Sequence, residues 1–280
     1  MKYIEIKAPA KINIGLNILN KRNDGYHNLY TLFYPLNDLY DKLQFTLSDQ
    51  FDFTCNDSSI PDDENNLVVK TKLLLEKHFG KKLNVKIKLD KSIPSQAGLG
   101  GGSSDAAATL ISLNELFKLG LSCDQLIDLA LLLGSDVPFF VKALPAIGMS
   151  RGEILEFIDL EIREFIVVIN PRINISTKEA FENIKPLDRH TDIKSFISNN
   201  KLDYHSLINN LKNDFEEYVF YKYPEIKEIK SKLYEVGALF SMMSGSGSTI
   251  YGIFRSEKEA KEATEIFPKN YFCWISTPHY

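Results

Sequence analysis

Apolar and polar positions alternate along residues 4–19, with the isoleucines on one face and Lys11 and Asn13 on the other. A period of two is typical of a β-strand that buries one face. The same alternation over residues 83–89 predicts a second half-buried strand. Shorter apolar runs predict further strands at 43–47, 51–54, 139–141, 164–170 and 271–276, and two more on either side of the loop 244–248.

Helical periodicity, in which apolar residues recur three and four positions apart, fills the segments between these strands. It predicts helices at 66–79 and from residue 225 to Gly237, and a mostly helical, polar region at 193–222. Serines followed three residues later by glutamine or glutamate are the sign of a capping box. They mark helix starts at Ser122, Ser176 and Ser256.

The order of these elements divides the chain near residue 160. Beyond it, strand, helix, strand, strand, helix and strand follow in the split βαβ order of ferredoxin-like domains. A chain of 280 residues is long enough for two domains of ordinary size. We therefore expect an α/β (α+β) protein with domains at 1–159 and 160–280, although no linker rich in proline or glycine marks the boundary.

Composition narrows the class of protein. The hydrophobic content of 44% and the charged content of 25% are typical of a globular protein. The net charge of −4 gives no reason to expect nucleic acid as a partner. The three cysteines are far apart, and neither a CxxC nor an HExxH motif occurs, so we expect reduced thiols and no zinc site.

The strongest chemical signal is the segment 94–105, PSQAGLGGGSSD, which an alanine-rich helical run follows directly. The amides of such a loop and the positive end of the helix macrodipole together form an anion site, usually for phosphate. The P-loop signature needs Lys-Ser/Thr after the glycines, and the dinucleotide fingerprint needs a glycine where Ser103 stands, so neither applies. A flexible linker is the alternative, but the apolar helical pattern that begins at once favours phosphate binding.

Two charged residues outside this segment are candidates for chemistry. Lys11 leaves its strand on the same face as Asn13, where it is either a functional group or a plain solvated lysine. Asp136 lies between a helix end and Pro138. A carboxylate there either caps a turn or serves as a base in a cleft, and the sequence leaves both open.

Two loops carry weaker signals. Tyr26 and His27 follow a turn at 23–25. They either pack on the surface or offer an aromatic platform and a hydrogen-bonding imidazole to a planar ring. The loop 244–248, Ser-Gly-Ser-Gly-Ser, is either a simple hairpin or a place where another backbone or a ligand approaches closely.

Three segments resemble, in order, the motifs of the GHMP kinases, the superfamily named for galactokinase, homoserine kinase, mevalonate kinase and phosphomevalonate kinase. These segments are 8–13, 94–108 and 243–249, and the core Pro-x-x-x-Gly-Leu-Gly-x-x-Ser-Ser of the middle one is specific. The resemblance covers almost the whole chain and is weak at 188–223. It implies a two-domain fold with an N-terminal ribosomal-protein-S5-like ATP-binding domain and a C-terminal ferredoxin-like domain.

Residues 11–16, 24–29, 134–140 and 152–155 fit best the branch that phosphorylates the 2-hydroxyl of a cytidine-diphosphate methylerythritol in the non-mevalonate isoprenoid pathway. That resemblance implies ATP and Mg²⁺ as cofactors. It also implies that Asp136 is the catalytic base and that Lys11, its partner, offsets the charge of the transferring group. Positioning and charge stabilisation are what phosphoryl transfer mainly needs.

The resemblance also implies binding residues. The phosphates of ATP would lie along Pro94, Gly98, Leu99, Gly100, Gly101, Gly102, Ser103 and Ser104. Asn66 would contact the adenine region, and Asn13, Tyr26 and His27 would form the cytidine-side pocket, with Phe181 and Tyr26 on either face of the cytosine. No protein ligand of magnesium is assigned, since the Ser104 hydroxyl either reaches the ion or caps the helix.

The sequence leaves two rival functions open. Another small-alcohol kinase of the homoserine or mevalonate type would not need the aromatic platform at 26–27. A catalytically silent, ligand-binding member would not need both Lys11 and Asp136. We expect a small-molecule substrate, no nucleic-acid or membrane partner, a monomer or weak homodimer, and a cytoplasmic location.

Overall fold

A computed structural model describes residues 3–186 and 190–278 of the chain. The contacts divide the chain into two compact units, each built from several segments. The first unit holds Met1–Ala10, Leu39–Ser95 and Gly100–Leu144, and the second holds Lys11–Asp38, Gln96–Leu99 and Pro145–Tyr280. The domain boundary expected near residue 160 stays a prediction.

Two long strands, β1 (Tyr3–Lys21) and β2 (His27–Leu47), pair with each other, and the predicted turn lies between them. The strand predicted at 4–19 is confirmed, but the expectation that it buries only one face is wrong. Lys11, Asn13 and Asn17 are buried along with the isoleucines. Burial of these polar side chains is tolerated because each is hydrogen-bonded, as Asn13 is to Thr31.

The strands of the first unit follow the predicted pattern. β3 (Asp52–Cys55) pairs in parallel with β4 (Val85–Asp90). Residues 42–47 of β2 pair with β4 in the antiparallel direction. Leu83, Val85, Ile87 and Leu89 are buried, as their alternation with polar residues predicted.

The described part of the first unit contains the helices α1 (Leu67–Phe79), α2 (Gly101–Leu116), α3 (Cys123–Leu133) and α4 (Val137–Lys142). α1 begins at the Asn66 cap and ends at Gly80, which has a φ of 63°. The predicted capping box at Ser122 starts α3. α2 packs against each of the other three helices.

The short strand predicted at 139–141 is wrong, because these residues lie in α4. A buried apolar run of this length fits either element by pattern alone. Pro138 lies in the first turn of α4, where a missing N–H costs no helical hydrogen bond. The aromatic residues Phe139 and Phe140 are buried and meet edge to face.

In the second unit, β5 (Ala146–Ser150) pairs with residues 29–33 of β2 and with β6 (Ile154–Phe157). A separate antiparallel sheet contains β7 (Phe165–Asn170), β10 (Phe240–Met243), β11 (Ile250–Phe254) and β12 (Phe272–Ser276). The strand order across the sheet is β10-β11-β7-β12. The strands that come first and last along the chain, β7 and β12, are therefore neighbours. This is the ferredoxin-like arrangement that the sequence predicted.

Helices cover this sheet. α8 (Pro224–Glu235) and α9 (Glu257–Glu265) pack on it through a core that includes Ile226, Leu233 and Ala260. The capping box at Ser256 is present. At Ser176, the start of α5 (Thr177–Glu182), the prediction is only half right: the serine caps the helix, but the Glu179 carboxylate binds Lys222 and Tyr218 instead of returning to the cap.

The region 193–222 is less helical than its pattern predicted. It contains one 3₁₀ turn at 193–196, the hairpin of β8 (Ile197–Ser198) and β9 (Lys201–Leu202), then α6 (Tyr204–Asn210) and α7 (Phe215–Lys222). Asn199 and Asn200 form the hairpin turn with φ values of 51° and 62°. Asparagine tolerates this left-handed conformation, which two-residue hairpin turns require. Among the helices of the described residues, none combines the length and apolar character needed to cross a membrane.

Candidate active site

The glycine-rich segment forms a helix N-terminus, as predicted. Gly100 is the N-cap of α2, with a φ of 73°, and no side chain caps the helix there. Gly101 and Gly102 open the first turn, which contains no acidic residue. The first amides of an α-helix have no acceptor within the helix, so this turn offers N–H groups and a partial positive charge to an anion.

Ser104 lies inside α2 rather than at its cap. The alternative that it is the N-cap residue is therefore wrong, because the helix begins three residues earlier, after Gly100. Its hydroxyl is buried and, among the described residues, has no hydrogen-bond partner. A buried hydroxyl without a partner is rare in folded proteins and suits a ligand that supplies the missing contact.

A buried charge cluster lies next to this turn, and the sequence analysis missed it. Lys91 is paired with both Asp41 and Asp105, and its Nζ lies 2.9 Å from Asp105 Oδ2. Burial, followed by the nearby Asp41 carboxylate, raises the pKa of Asp105 to about 7 against the attraction of Lys91. A charged residue at each end of the uncharged segment 92–104 was the sequence signal.

In the second unit, Lys11 is buried rather than solvated, with 3% of its surface exposed. Its Nζ donates to Asn13 Oδ1 at 2.6 Å and to the Gly98 carbonyl oxygen at 3.0 Å. Its backbone N–H donates to the carbonyl of Leu99 at 2.9 Å. The ammonium group therefore has a fixed position, which the solvated-lysine alternative does not explain.

Asn13 is held by groups from several elements. Its Nδ2 donates to Thr31 Oγ1 at 3.0 Å, and its backbone N–H donates to Ser244 Oγ at 3.2 Å. The hydroxyl of Tyr251, which is fully buried on β11, donates to the Asn13 carbonyl at 3.0 Å. These bonds fix the amide that receives the Lys11 ammonium.

The loop 244–248 is more than a simple hairpin, because its backbone lies in close contact with that of residues 96–99. A Cβ atom at Gly98 would lie 2.1 Å from the Ser244 carbonyl oxygen, and one at Gly245 would lie 3.2 Å from the Gly98 Cα. Ser244 Oγ also donates to the Gly98 carbonyl at 2.9 Å. Glycine at both positions lets the backbones of residues 96–99 and 244–248 touch.

Of the three predicted aromatic residues, His27 and Phe181 contact each other and Tyr26 contacts an arginine. His27 stacks on Phe181 with ring centroids 5.1 Å apart and planes inclined by 14°. Burial and the nearby Lys21 lower the pKa of His27, so its imidazole is neutral near pH 7. Tyr26 is half exposed and carries the Arg151 guanidinium 4.5 Å from its ring centroid. The sandwich of cytosine between Tyr26 and Phe181 stays a prediction.

The remaining candidates lie at helix starts in the first unit. Asp136 is half-buried at the N-cap of α4, and its carboxylate makes no capping hydrogen bond to that helix. The role of Asp136 as a base stays a prediction. Asn66 caps α1 by accepting from the Val68 N–H at 2.8 Å, and its Nδ2 donates to the Pro61 carbonyl at 2.8 Å.

Comparison with family models defines the class of protein. The model described as the GHMP kinases N terminal domain matches residues 66–143, and the one described as GHMP kinases C terminal matches residues 187–272. The chain belongs to the GHMP kinases.

Curated relatives narrow the class further. A protein of Bacteroides thetaiotaomicron named 4-diphosphocytidyl-2-C-methyl-D-erythritol kinase is 44% identical, over 95% of this chain and 96% of its own length. A protein of Chlorobium limicola with the same name is 41% identical, over 94% of this chain and 92% of its own. Within the family, the chain groups with the 4-diphosphocytidyl-2-C-methyl-D-erythritol kinases.

One solved structure agrees with this assignment, and a second shares the fold. The crystal structure of a 4-(cytidine 5'-diphospho)-2C-methyl-D-erythritol kinase matches with a TM-score of 0.84 and 31% identity, over 97% of this chain and 98% of that one. A homoserine kinase from Cytophaga hutchinsonii matches with a TM-score of 0.75 over 99% of this chain and 96% of its own. At 19% identity, the homoserine kinase shows a shared fold alone.

Proposed function

We propose that this enzyme transfers the γ-phosphoryl group of ATP to the 2-hydroxyl of 4-diphosphocytidyl-2-C-methyl-D-erythritol, giving the 2-phosphate and ADP for the non-mevalonate isoprenoid pathway. The observation that carries the proposal is identity of 44% and 41%, over nearly the whole chain, to relatives named for this substrate. The conformations of the candidate residues support it.

We propose that the phosphates of ATP bind at the start of α2. The uncapped amides from Gly101 to Ser103 supply donors, and the helix dipole adds a partial positive charge. Pro94, Gly98 and Leu99 would shape the rest of the loop, and Asn66 would lie near the adenine.

Mg²⁺ would accompany ATP and neutralise charge on its β- and γ-phosphates. Among the described residues, no group of three or more His, Cys, Asp or Glu side chains is arranged to hold a metal ion. The buried, unpartnered hydroxyl of Ser104 suits a hard cation that is otherwise held by phosphate oxygens and water. We therefore propose Ser104 as its protein ligand.

We propose Asp136 as the general base for the tertiary hydroxyl. Its carboxylate does not cap α4, so its acceptor capacity is not used by the helix start. Lys11 would offset the charge that develops on the transferring group. Its ammonium is already oriented by Asn13 and Gly98, and a preoriented charge needs no rearrangement when the reaction occurs.

The cytidine end would bind at the aromatic residues. His27 is neutral near pH 7, so one ring nitrogen donates and the other accepts, which matches the mixed edge of a pyrimidine base. Phe181 and Tyr26 offer ring faces for stacking, and Asn13 completes the pocket. Binding energy gained at this end would orient a hydroxyl at the other end of the substrate.

We further propose that the enzyme works in the cytoplasm on small molecules, without a nucleic-acid or membrane partner, as a monomer or weak homodimer. Cys55, Cys123 and Cys273 are free thiols, as a reducing compartment would keep them. The net charge of −4 does not favour binding to polyanions.

The test is ADP release from Mg-ATP with three alcohols supplied separately: the cytidine-diphosphate methylerythritol, homoserine and mevalonate. We expect turnover with the first alone. Turnover with homoserine or mevalonate instead would support a kinase of those types. Nucleotide binding without turnover of any alcohol would support the silent, ligand-binding alternative.

A further inference from the structure

Three charged side chains that have no part in the proposed chemistry meet beside the start of α2. Lys91 is 6% exposed, Asp41 is fully buried and Asp105 is 4% exposed. Lys91 pairs with both carboxylates at once. Removing three ionisable groups from water costs free energy. Their burial next to the proposed phosphate-binding turn therefore suggests a function for the cluster.

Each member of this cluster belongs to a different element. Asp41 lies on β2, and its Oδ1 accepts from the backbone N–H groups of Ser92 and Ile93 at 2.6 and 2.8 Å. Asp105 lies on α2, one turn from its start. Lys91 directly follows β4. The lysine therefore ties the beginning of α2 to two strands of the first unit.

The cluster also touches the glycine turn itself. A Cβ atom at Gly101 would lie 3.2 Å from Lys91 Nζ and 3.3 Å from Asp41 Oδ2. The ammonium group thus packs directly against the backbone of the first helical residue.

We propose that Lys91, held between Asp41 and Asp105, is a positioning residue for ATP: it fixes the first turn of α2 so that its amides are aligned before the phosphates arrive. The inference rests on the proposed role of this turn in binding ATP. Lys91 acts through the backbone of Gly101 and not by touching the nucleotide. Alignment in advance increases the affinity for ATP because the loop does not lose further conformational entropy when ATP binds.

A purely structural role makes a different prediction. If the cluster only holds the first unit together, its loss lowers the unfolding temperature and leaves the KM for ATP unchanged in the folded fraction. A positioning role raises the KM for ATP and the Kd for ADP while the KM for the alcohol stays the same. The split between the two KM values therefore separates the roles.

The first experiment compares Lys91→Met with Lys88→Met. Lys88 is a matched control, since it lies on β4 and pairs with Asp90 at the surface, with 56% of its side chain exposed. For Lys91→Met, we expect the KM for ATP and the Kd for ADP to rise about 10-fold or more, with the KM for the alcohol within about twofold of wild type. A folded Lys91→Met enzyme with an unchanged ATP KM would overturn the proposal, as would an equal rise in both KM values.

Lys91→Met leaves two carboxylates without their cation, so a second pair of variants covers the case in which it does not fold. Asp105→Asn retains an oxygen that accepts from Lys91, and we expect it to keep the wild-type ATP KM within about threefold. Asp105→Ala removes the tie to α2, and we expect a rise of about 10-fold. Equal ATP KM values for these two variants would contradict the positioning role.

Direct titration with ADP separates the failure of this inference from the failure of the proposed function. A wild-type protein that binds no ADP would overturn both. A wild-type protein that binds ADP, with Lys91→Met and Asp105→Ala binding it equally well, would overturn the positioning role alone.

Discussion

The carbonyl oxygen of Ser244 lies where a side chain at Gly98 would begin: a Cβ atom there would be only 2.1 Å from it. The contact is between two backbones, so neither partner can move aside as a flexible side chain would. It belongs to the same cluster of hydrogen bonds that orients the Lys11 ammonium.

Gly98→Ala should therefore destabilise the protein far more than an ordinary glycine substitution. Both the overlap and the φ of 77° oppose a side chain, and together they should cost about 3 kcal/mol or more of unfolding free energy. Gly80→Ala is the matched control, because Gly80 has a φ of 63° but nothing within 4 Å of its Cβ position. It should cost about 1 kcal/mol. Urea unfolding of the two variants measures the difference. Equal losses of unfolding free energy would show that the overlap with Ser244 does not destabilise Gly98→Ala.

Lys11→Met should reduce turnover while leaving ATP binding largely intact. The substitution keeps most of the side-chain volume and removes the positive charge that, in our proposal, stabilises the transferring phosphoryl group. We expect kcat to fall about 100-fold or more, with the KM for ATP within about threefold of wild type. Lys7→Met is the control, since Lys7 lies on the same face of β1 but is exposed. If Lys11→Met retained normal kcat, the electrostatic role would be wrong.

Asp136→Asn should bind both substrates and lose most of its turnover. An amide cannot accept the hydroxyl proton, and the loss of a general base typically costs about 10²–10⁴-fold in rate. Asp128→Asn, at an exposed position on α3, should be fully active. Steady-state kinetics and ADP titration test this pair. Near-normal turnover by Asp136→Asn would remove Asp136 from the mechanism even though the family assignment would remain.

Phe181→Leu should weaken binding of the cytidine substrate selectively. Leucine still packs against Phe215 but offers no ring face to His27 or to a base. Stacking on a base contributes about 1–3 kcal/mol, so the KM for the alcohol should rise about 10-fold with an unchanged KM for ATP. Tyr221→Leu, at a position that is 87% exposed, serves as the control. A rise in the KM for ATP instead would show that Phe181 contributes to ATP binding and would contradict its assignment to the cytidine pocket.

The stability of the protein should depend on pH through Asp105. Its pKa is raised from 3.8 to about 7, so the folded state retains a proton that the unfolded chain releases at lower pH. Stability should therefore fall as the pH rises from about 4 to 7, by up to about 1.4 kcal/mol per pH unit, and level off above about 7. Lys91 and Asp41 face this carboxyl, and Cys55 lies in its field.

Asp105→Asn removes this titration. The unfolding free energy of the variant should not show the fall between about pH 4 and 7 that Asp105 causes in the wild type. The wild type should therefore lose stability relative to the variant as the pH rises through this range. Denaturant unfolding at several pH values measures that difference. Parallel curves for the two proteins would show that Asp105 does not titrate between pH 4 and 7.

Elements with strong local signals could be predicted from the sequence. The capping box at Ser122 defines a helix start through side-chain hydrogen bonds to nearby amides, and Gly80 defines a helix end through its left-handed backbone. Both signals are independent of distant contacts. The glycine segment before α2 is of the same kind. Where the local signal was ambiguous, as for the apolar run in α4, the pattern pointed to the wrong element.

The parts that could not be predicted depend on residues far apart in the chain. Nothing near Lys91 indicates that Asp41 and Asp105 will surround it, because the pairing arises only when β2 and α2 pack together. The Lys11 ammonium likewise donates to the carbonyl of Gly98, far along the chain, which also accepts from Ser244. Alternation along β1 showed which side chains share a face, but it carried no information about what covers that face.

We propose that the chain phosphorylates the 2-hydroxyl of 4-diphosphocytidyl-2-C-methyl-D-erythritol, and the identity of the reaction product tests this most directly. The purified protein would be incubated with Mg-ATP and this alcohol, and the product examined by ³¹P and ¹³C NMR. We predict one new phosphomonoester signal coupled to the tertiary carbon, formed together with ADP and formed far more slowly by Asp136→Asn. A phosphate on another carbon, or ADP formed without any phosphorylated alcohol, would contradict the account.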